Sequence, residues 1–290
     1  MEYRKLGRTV LDVSIISFGG IMLNNMNQEE ANKVVSEAIK RGVNLFDVGP
    51  TYGDAQNKLG PAIEKYRKQI ILTCKTEAYK TKAEVRSDLE NSLKLLKTDF
   101  FDVYQLHEVI NENLLKKSMG SGGALEAILE AKKEGLVNYV GFSSHSEEWA
   151  LKLMKLYDFD TVMFPINWNY WYNNHQGEAL IKKARETNKG ILAIKSLAQR
   201  RWKDGEERHG YKTWYKPLFD NDELAMLALK FTLSKDIDSA VSPGDERLLY
   251  RSIDLIEDNK GFLNLSNSEK ERLEEFVDLC GGQLYPVVTS

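Results

Sequence analysis

An acid, a phenol, an ammonium and an imidazole stand in order at the ends of three apolar stretches. Asn44-Leu45-Phe46-Asp47-Val48-Gly49-Pro50-Thr51-Tyr52-Gly53 runs from a strand-like segment into a loop, with Asp47 at the strand end and Tyr52 beyond it. Ile70-Ile71-Leu72-Thr73-Cys74 leads into Lys75, and Phe101-Asp102-Val103-Tyr104-Gln105-Leu106 leads into His107. A free phenol has a pKa of about 10 and is a poor acid or base at neutral pH. A nearby ammonium favours the phenolate, so Lys75 is expected to lower the pKa of Tyr52. Asp47 can hold Lys75 by a charge-assisted hydrogen bond, and a ring N–H of His107 can orient a carbonyl oxygen. Such a set would protonate an alkoxide as it forms from a carbonyl, and a positioned acid contributes about 10²–10⁴-fold in rate. None of these groups supplies a hydride, so the chemistry requires a nicotinamide cofactor.

Singly, each residue has a plainer reading: a turn-capping Asp, a packed Tyr, a solvated Lys, a structural His. Their order and their shared place at strand ends argue for function, because a parallel β/α barrel presents chemistry at the carboxyl ends of its strands. The rest of the chain fits such a barrel. Tyr3–Leu6 and Leu11–Ser14 flank Gly7-Arg8-Thr9 as a short hairpin. Eight strand-like runs follow, at 14–18, 45–47, 70–73, 101–106, 137–142, 161–164, 190–194 and 239–241. Helical patterns alternate with them at 28–41, 56–66, 82–96, 123–134, 147–156, 177–188, 222–234 and 246–256, and one further amphipathic helix spans 268–279. Strict alternation indicates a parallel sheet. The expectation is one (β/α)8 TIM barrel domain over residues 1–290, with an amino-terminal β-hairpin and an extra carboxyl-terminal helix. An open doubly wound sheet is the alternative, but no Gly-x-Gly-x-x-Gly turn follows the first strand. Gly120-Ser121-Gly122-Gly123 reads as a loop opening a helix rather than as a phosphate cradle.

The sequence resembles the aldo-keto reductases over nearly its whole length. Tyr3-Arg4-Lys5-Leu6-Gly7-Arg8-Thr9 with Leu11-Asp12-Val13-Ser14 looks like the family's opening hairpin. Leu45-Phe46-Asp47 with Tyr52-Gly53 looks like its Asp/Tyr signature, and Val140-Gly141-Phe142-Ser143-Ser144 like its Gly-x-Ser-Asn motif. Ser242-Pro243-Gly244 looks like the segment near the adenine phosphate. The resemblance implies a catalytic tetrad of Asp47, Tyr52, Lys75 and His107, with Tyr52 as general acid. It also implies cofactor contacts at Gly20, Ile21, Asp47, Ser143, Ser144, Met163, Ser196, Leu197, Pro243, Gly244, Arg247 and Arg251. Three departures stand out. Ser144 replaces the usual Asn, and Met163, at best a weak acceptor, falls where Gln usually helps hold the carboxamide. Beyond Gly244 the loop is short and carries Asp245 and Glu246, and Tyr250-Arg251 replaces a Glu-Asn pair. NADP is the expected cofactor, read by Arg247 or Arg251, with NAD as the alternative.

Long loops supply the clues to substrate. Trp168 to Asn174 follows strand six, and Arg200, Arg201, Trp202, Lys212 and Trp214 lie in a long segment, Lys195 to Pro217, after strand seven. Aromatic rings with polar tips suit a ring-shaped polar molecule such as a sugar, and the basic residues suit an acid or phosphate. Substrate contacts are therefore expected from Tyr52, His107, Trp168, Arg201 and Trp214. Alternatively, the strand-seven segment folds over the cofactor or seals a subunit contact. The carboxyl end, Gly281 to Pro286, is expected as a lid or a surface tail.

Composition narrows the function classes. A net charge of −3 gives no reason to expect nucleic acid. No apolar run approaches the roughly 18 residues of a membrane span. Two cysteines, Cys74 and Cys280, make no disulfide framework, and a reducing cytoplasm is the expected compartment. His107, His145, His175 and His209 show no short ligand spacing, so no metal is expected. The leading reading is an NAD(P)H-dependent oxidoreductase interconverting an aldehyde, ketone or sugar with an alcohol. The alternatives are a non-catalytic nicotinamide sensor and a redox-neutral sugar lyase or epimerase. Oligomeric state is left open.

Overall fold

The computed structural model describes residues 1–259 and 263–285. Eight parallel strands close into a barrel: Ile16–Gly19, Leu45–Asp47, Ile71–Glu77, Phe101–His107, Val137–Ser143, Thr161–Pro165, Gly190–Ile194 and Ser239–Val241. The eighth pairs with both the first and the seventh, which closes the ring. Helices follow the strands and form the outer layer. Three of them open with reciprocal capping boxes, Asn27 with Glu30, Thr81 with Glu84 and Ser266 with Glu269. In each, side chain and backbone satisfy amide donors that the first turn leaves without partners.

Side-chain alternation decides what faces the barrel axis. Phe46, Leu72, Cys74, Tyr104 and Leu106 belong to the large cluster shared with the helices. Their neighbours Leu45, Ile71 and Val103 belong to a second cluster inside the barrel. With a period of two, the inward set continues through Asp47, Thr73, Lys75, Glu77, Gln105 and His107. Strand register places these residues side by side: Asp47 is paired with Thr73, Lys75 with Gln105, and Glu77 with His107. Apolar residues thus fill the amino-terminal half of the barrel, and polar ones converge at its carboxyl-terminal rim.

The hairpin Tyr3–Lys5 with Asp12–Ser14 forms where expected. Its Leu6 and Val13 join the inner cluster and plug the lower end of the barrel. Gly7 is required at that closure, because its φ is +50° and a Cβ there would lie 2.1 Å from the Gly190 nitrogen.

Four segments differ from the sequence reading. Glu112–Met119 and Trp168–Asn174 are additional helices. The segment after strand seven is no open loop: Ala198–Arg201 and Tyr215–Pro217 form an antiparallel ribbon. Strand three runs on past Thr73 to Glu77, which carries Lys75 inside the strand rather than beyond it.

Candidate active site

A cavity of about 440 Å³ opens at the carboxyl-terminal rim. Its wall includes Asp47, Tyr52, Lys75 and His107, so the four residues singled out first stand together. Lys75 is central. Its Nζ donates to Asp47 Oδ2 at 2.7 Å and to Tyr52 Oη at 3.1 Å, with Met163 Sδ at 3.9 Å. Asp47 Oδ1 accepts from Thr73 Oγ1 at 2.8 Å and from Gln105 Nε2 at 3.3 Å. Both carboxylate oxygens are therefore occupied, which fixes the acid that fixes the ammonium. Glu77 Oε1 lies 3.0 Å from His107 Nδ1 and also accepts from Thr51 Oγ1 at 3.2 Å. With Nδ1 held by Glu77, His107 has Nε2 left for the cavity.

Burial governs the protonation states. It opposes the charge on Lys75, yet Asp47 and Tyr52 outweigh it and hold the ammonium above its ordinary value. Burial also raises the Tyr52 phenol, and this exceeds the pull of Lys75 in the opposite direction. Lys75 thus pulls the phenol down, as the sequence leads one to expect, but desolvation outweighs it, and Tyr52 is a neutral proton donor at pH 7. Glu77 lies below the usual carboxylate range, because its bond with His107 overcomes burial. Cys74, behind Lys75, is a buried thiol pushed up to about 12 by desolvation, in keeping with a packing role.

Of the expected cofactor contacts, Ile21, Ser143, Met163, Leu197, Pro243 and Gly244 also line the cavity, as does Gly19 beside the expected Gly20. Gly20 itself packs against strand two, where a Cβ would lie 2.7 Å from the Asp47 oxygen. Ser143 Oγ is buried without a hydrogen-bond partner. Ser144 differs: its Oγ donates to the Val109 and Ser146 carbonyls, so its side chain ties the loop together and does not reach the cavity wall. Ser196 is buried outside the lining.

Neither expected phosphate-reading arginine projects freely. Arg247 makes a two-pronged pair with its own helix cap, Nε to Asp245 Oδ1 and Nη2 to Asp245 Oδ2, both at 2.8 Å. Its guanidinium also lies 3.8 Å from the Tyr211 ring centre. Arg251 donates to the Leu218 carbonyl at 2.5 Å and pairs with Asp222.

Among the expected substrate contacts, Arg201 and Trp214 line the cavity, and the Trp214 ring meets Tyr52 edge-on at 6.1 Å. Trp168 does not. Asn167 caps the short helix there, and Trp168 is fully buried in the outer cluster. Arg200 is likewise removed from substrate, because both its terminal nitrogens are bonded to Glu206 at 2.7 Å. At the carboxyl end, Gln283 accepts from the Arg201 amide and Tyr285 joins the cavity wall, while Pro286 lies outside the described residues.

The closed barrel and the hairpin agree with what comparison finds. A model of the Aldo/keto reductase family matches residues 15–278. The chain belongs to the aldo/keto reductase family. Among curated relatives, the uncharacterized oxidoreductase YqkF of Bacillus subtilis is 28% identical over 247 residues, covering 78% of this chain and 77% of that protein. Aldo-keto reductase YhdN of the same organism is 25% identical over 217 residues, covering 69% of this chain and 63% of that protein. The solved holo form of aldo-keto reductase AKR11C1 from Bacillus halodurans superposes with a TM-score of 0.72 at 21% identity, covering 95% of this chain and 96% of the other. At that identity the likeness speaks to fold. Family membership implies nicotinamide-dependent oxidoreduction of small carbonyl compounds. No helix among the described residues is long and apolar enough to cross a membrane.

Proposed function

We propose that this chain is an NAD(P)H-dependent carbonyl reductase, or alcohol dehydrogenase in reverse, with Tyr52 as general acid. One observation carries the reading: Lys75 Nζ sits between Asp47 Oδ2 at 2.7 Å and Tyr52 Oη at 3.1 Å on the wall of the cavity. A reacting carbonyl oxygen placed against Tyr52 and the free nitrogen of His107 would meet two donors. As negative charge grows on that oxygen, the phenol passes its proton to it, and Lys75 stabilises the phenolate left behind. Asp47 keeps Lys75 charged, and Glu77 keeps His107 oriented. The Trp214 ring stands edge-on beside Tyr52 at the mouth of the cavity.

The residues present fit a nicotinamide cofactor. Ser143 Oγ is a buried polar atom without a partner on the cavity wall, suited to a carboxamide. Gly19 and Gly244 stand on the same wall, kept without side chains by their protein neighbours: a Cβ would lie 2.3 Å from the Ser242 carbonyl oxygen at Gly19 and 2.8 Å from Ile21 at Gly244. When bound, that cofactor supplies the hydride. NADP is proposed with weak discrimination against NAD, because Asp245 already neutralises Arg247.

Tyr52→Phe tests the assignment. Turnover of carbonyl substrates should fall by about 10²–10⁴-fold, while NADPH binding, followed by tryptophan fluorescence, stays unchanged. Turnover surviving in Tyr52→Phe would remove the phenol from its role.

A further inference from the structure

A second lysine lines the same cavity, and the tetrad does not use it. Lys195 directly follows strand seven, one residue beyond Ile194, and its φ is +69°. A long side chain in the left-handed region is uncommon and is held there by its surroundings. Asn167 Nδ2 does part of the holding, donating to the Lys195 carbonyl at 2.8 Å and to the Ala198 carbonyl at 2.8 Å.

Lys195 Nζ lies 2.8 Å from His145 Nε2, and His145 Nδ1 is paired with Glu108. An ammonium has only donors, so Nε2 must be the lone-pair nitrogen and Nδ1–H must serve Glu108. Burial, followed by the Lys195 charge, pushes His145 down to about 4, which keeps the imidazole neutral at pH 7. Lys195 is thus joined to Glu108 only through the ring of His145. Its other neighbours are aromatic faces, Tyr285 at 4.6 Å and Tyr215 at 4.9 Å from the ring centres. Among the described residues, two of its three N–H bonds therefore have no oxygen or nitrogen acceptor. Burial first, then the charges of Lys75 and Arg201, hold Lys195 well below an ordinary lysine, with Glu108 opposing.

Arg201 stands on the same wall. It gives one N–H, from Nε, to the Leu284 carbonyl at 3.3 Å, and its terminal nitrogens have no partner among the described residues. The whole lining carries Lys75, Lys195, Arg201 and Lys212 against Asp47 and Glu108, four cations to two carboxylates, an excess of two positive charges. Lys75 is answered by Asp47 directly, so the excess lies on the side of Lys195 and Arg201.

We propose that Lys195, oriented by His145 and assisted by Arg201, forms an anion subsite in the active-site cavity, so that the carbonyl substrate carries a carboxylate or phosphate group. The proposal deepens the function above and rests on that reading for the word substrate; the subsite itself does not need turnover. An anion at Lys195 would accept the two unused N–H bonds and supply the counter-charge that the fold withholds. Tyr215 and Tyr285 would exclude water around the pair and strengthen it.

Calorimetry with benzoate and its uncharged analogue benzamide reads the subsite without chemistry. The wild-type protein should bind benzoate at least about tenfold more tightly than benzamide. Lys195→Met should abolish that preference, whereas Tyr52→Phe should keep it. In turnover, 4-carboxybenzaldehyde should show a KM at least about tenfold higher in Lys195→Met with little change in kcat, and benzaldehyde no change. Equal binding of benzoate and benzamide by the wild type would overturn the proposal, and this arm needs no variant to fold. A preference lost in Tyr52→Phe but kept in Lys195→Met would place the anion at the catalytic phenol and overturn it. Lys195→Met weakening NADPH and NADH alike, with the benzoate preference intact, would assign the lysine to the cofactor's diphosphate and overturn it. If neither aldehyde turns over while benzoate preference follows Lys195, the subsite stands and the reductase reading falls.

Discussion

Replacing Lys75 by Met removes the cation from a pair that water scarcely reaches: Lys75 is 1% exposed and Asp47 3%. Asp47 would keep only two neutral donors, Thr73 Oγ1 at 2.8 Å and Gln105 Nε2 at 3.3 Å. Leaving one partner of a buried pair uncompensated costs about 3–5 kcal/mol. A chain of this size loses about 2 °C of melting temperature per kcal/mol, so Lys75→Met should melt about 6–10 °C lower. Asp47→Asn alone should cost a similar amount by stranding the ammonium. The double variant Asp47→Asn, Lys75→Met removes both charges and should return to within about 1–2 kcal/mol of the wild type. Urea unfolding of all four proteins at pH 7 closes the cycle, with an expected coupling of at least about 2 kcal/mol. Carbonyl reduction should stay low in all three variants, because restoring stability does not restore the group that stabilises the phenolate. A Lys75→Met protein as stable as the wild type, or a double variant costing the sum of the singles, would refute the reasoning, since neither outcome suits a buried charge pair.

Two further expectations follow from the same geometry. Burial holds Tyr52 above its ordinary value, and reduction needs the protonated phenol. The kcat for reduction should therefore be level from about pH 6 to about pH 9 and fall only as pH rises past about 10, while oxidation, which needs the phenolate, rises across that upper range; initial rates in both directions check this, and a fall in reduction centred near neutrality would identify another proton donor. Asp245→Asn keeps the helix cap but removes the charge facing Arg247. The NADPH dissociation constant should drop about tenfold and that for NADH stay unchanged by fluorescence titration; no change for NADPH would separate Arg247 from the 2′-phosphate.

Much of this was legible in the sequence because the barrel writes its plan locally. Each strand is a short apolar run, its inward face recurs every second residue, and the last inward residue falls on the rim. Asp47 and His107, the last residues of strands two and four, follow from that rule. What was not legible depends on register and on burial. Thr73 and Gln105 hold Asp47 from two different neighbouring strands, and only the pairing of Asp47 with Thr73 and of Lys75 with Gln105 brings them together. Glu77 was not singled out, because strand three was read only to Thr73, although Lys75 and Glu77 continue its period of two. Trp168 looked like a pocket residue because its neighbours are polar and aromatic, and a one-cap helix of seven residues has too weak a periodic signal to show which side is buried. Arg200 looked free because its partner, Glu206, meets it only once the ribbon forms.

The two lysines on the rim show why residue type alone does not assign a role. Lys75 has its acceptors supplied by the fold: Asp47, Tyr52 and the Met163 sulfur surround its Nζ. Nothing is left for it to bind, and it acts by setting the charge of what it touches. Its pKa is raised, because a carboxylate in direct contact outweighs burial. Lys195 stands on the same wall and its pKa moves the opposite way, because burial lowers it and Glu108, separated from it by a neutral ring, does not outweigh that burial. A cation left short of counter-charge in a walled cavity is destabilised until an anion arrives, so the fold stores at Lys195 an affinity that it has already used at Lys75. Substrate charge would then be read at one end of the cavity and the proton delivered at the other, and the side chain that reads charge would be distinct from those that perform the reaction.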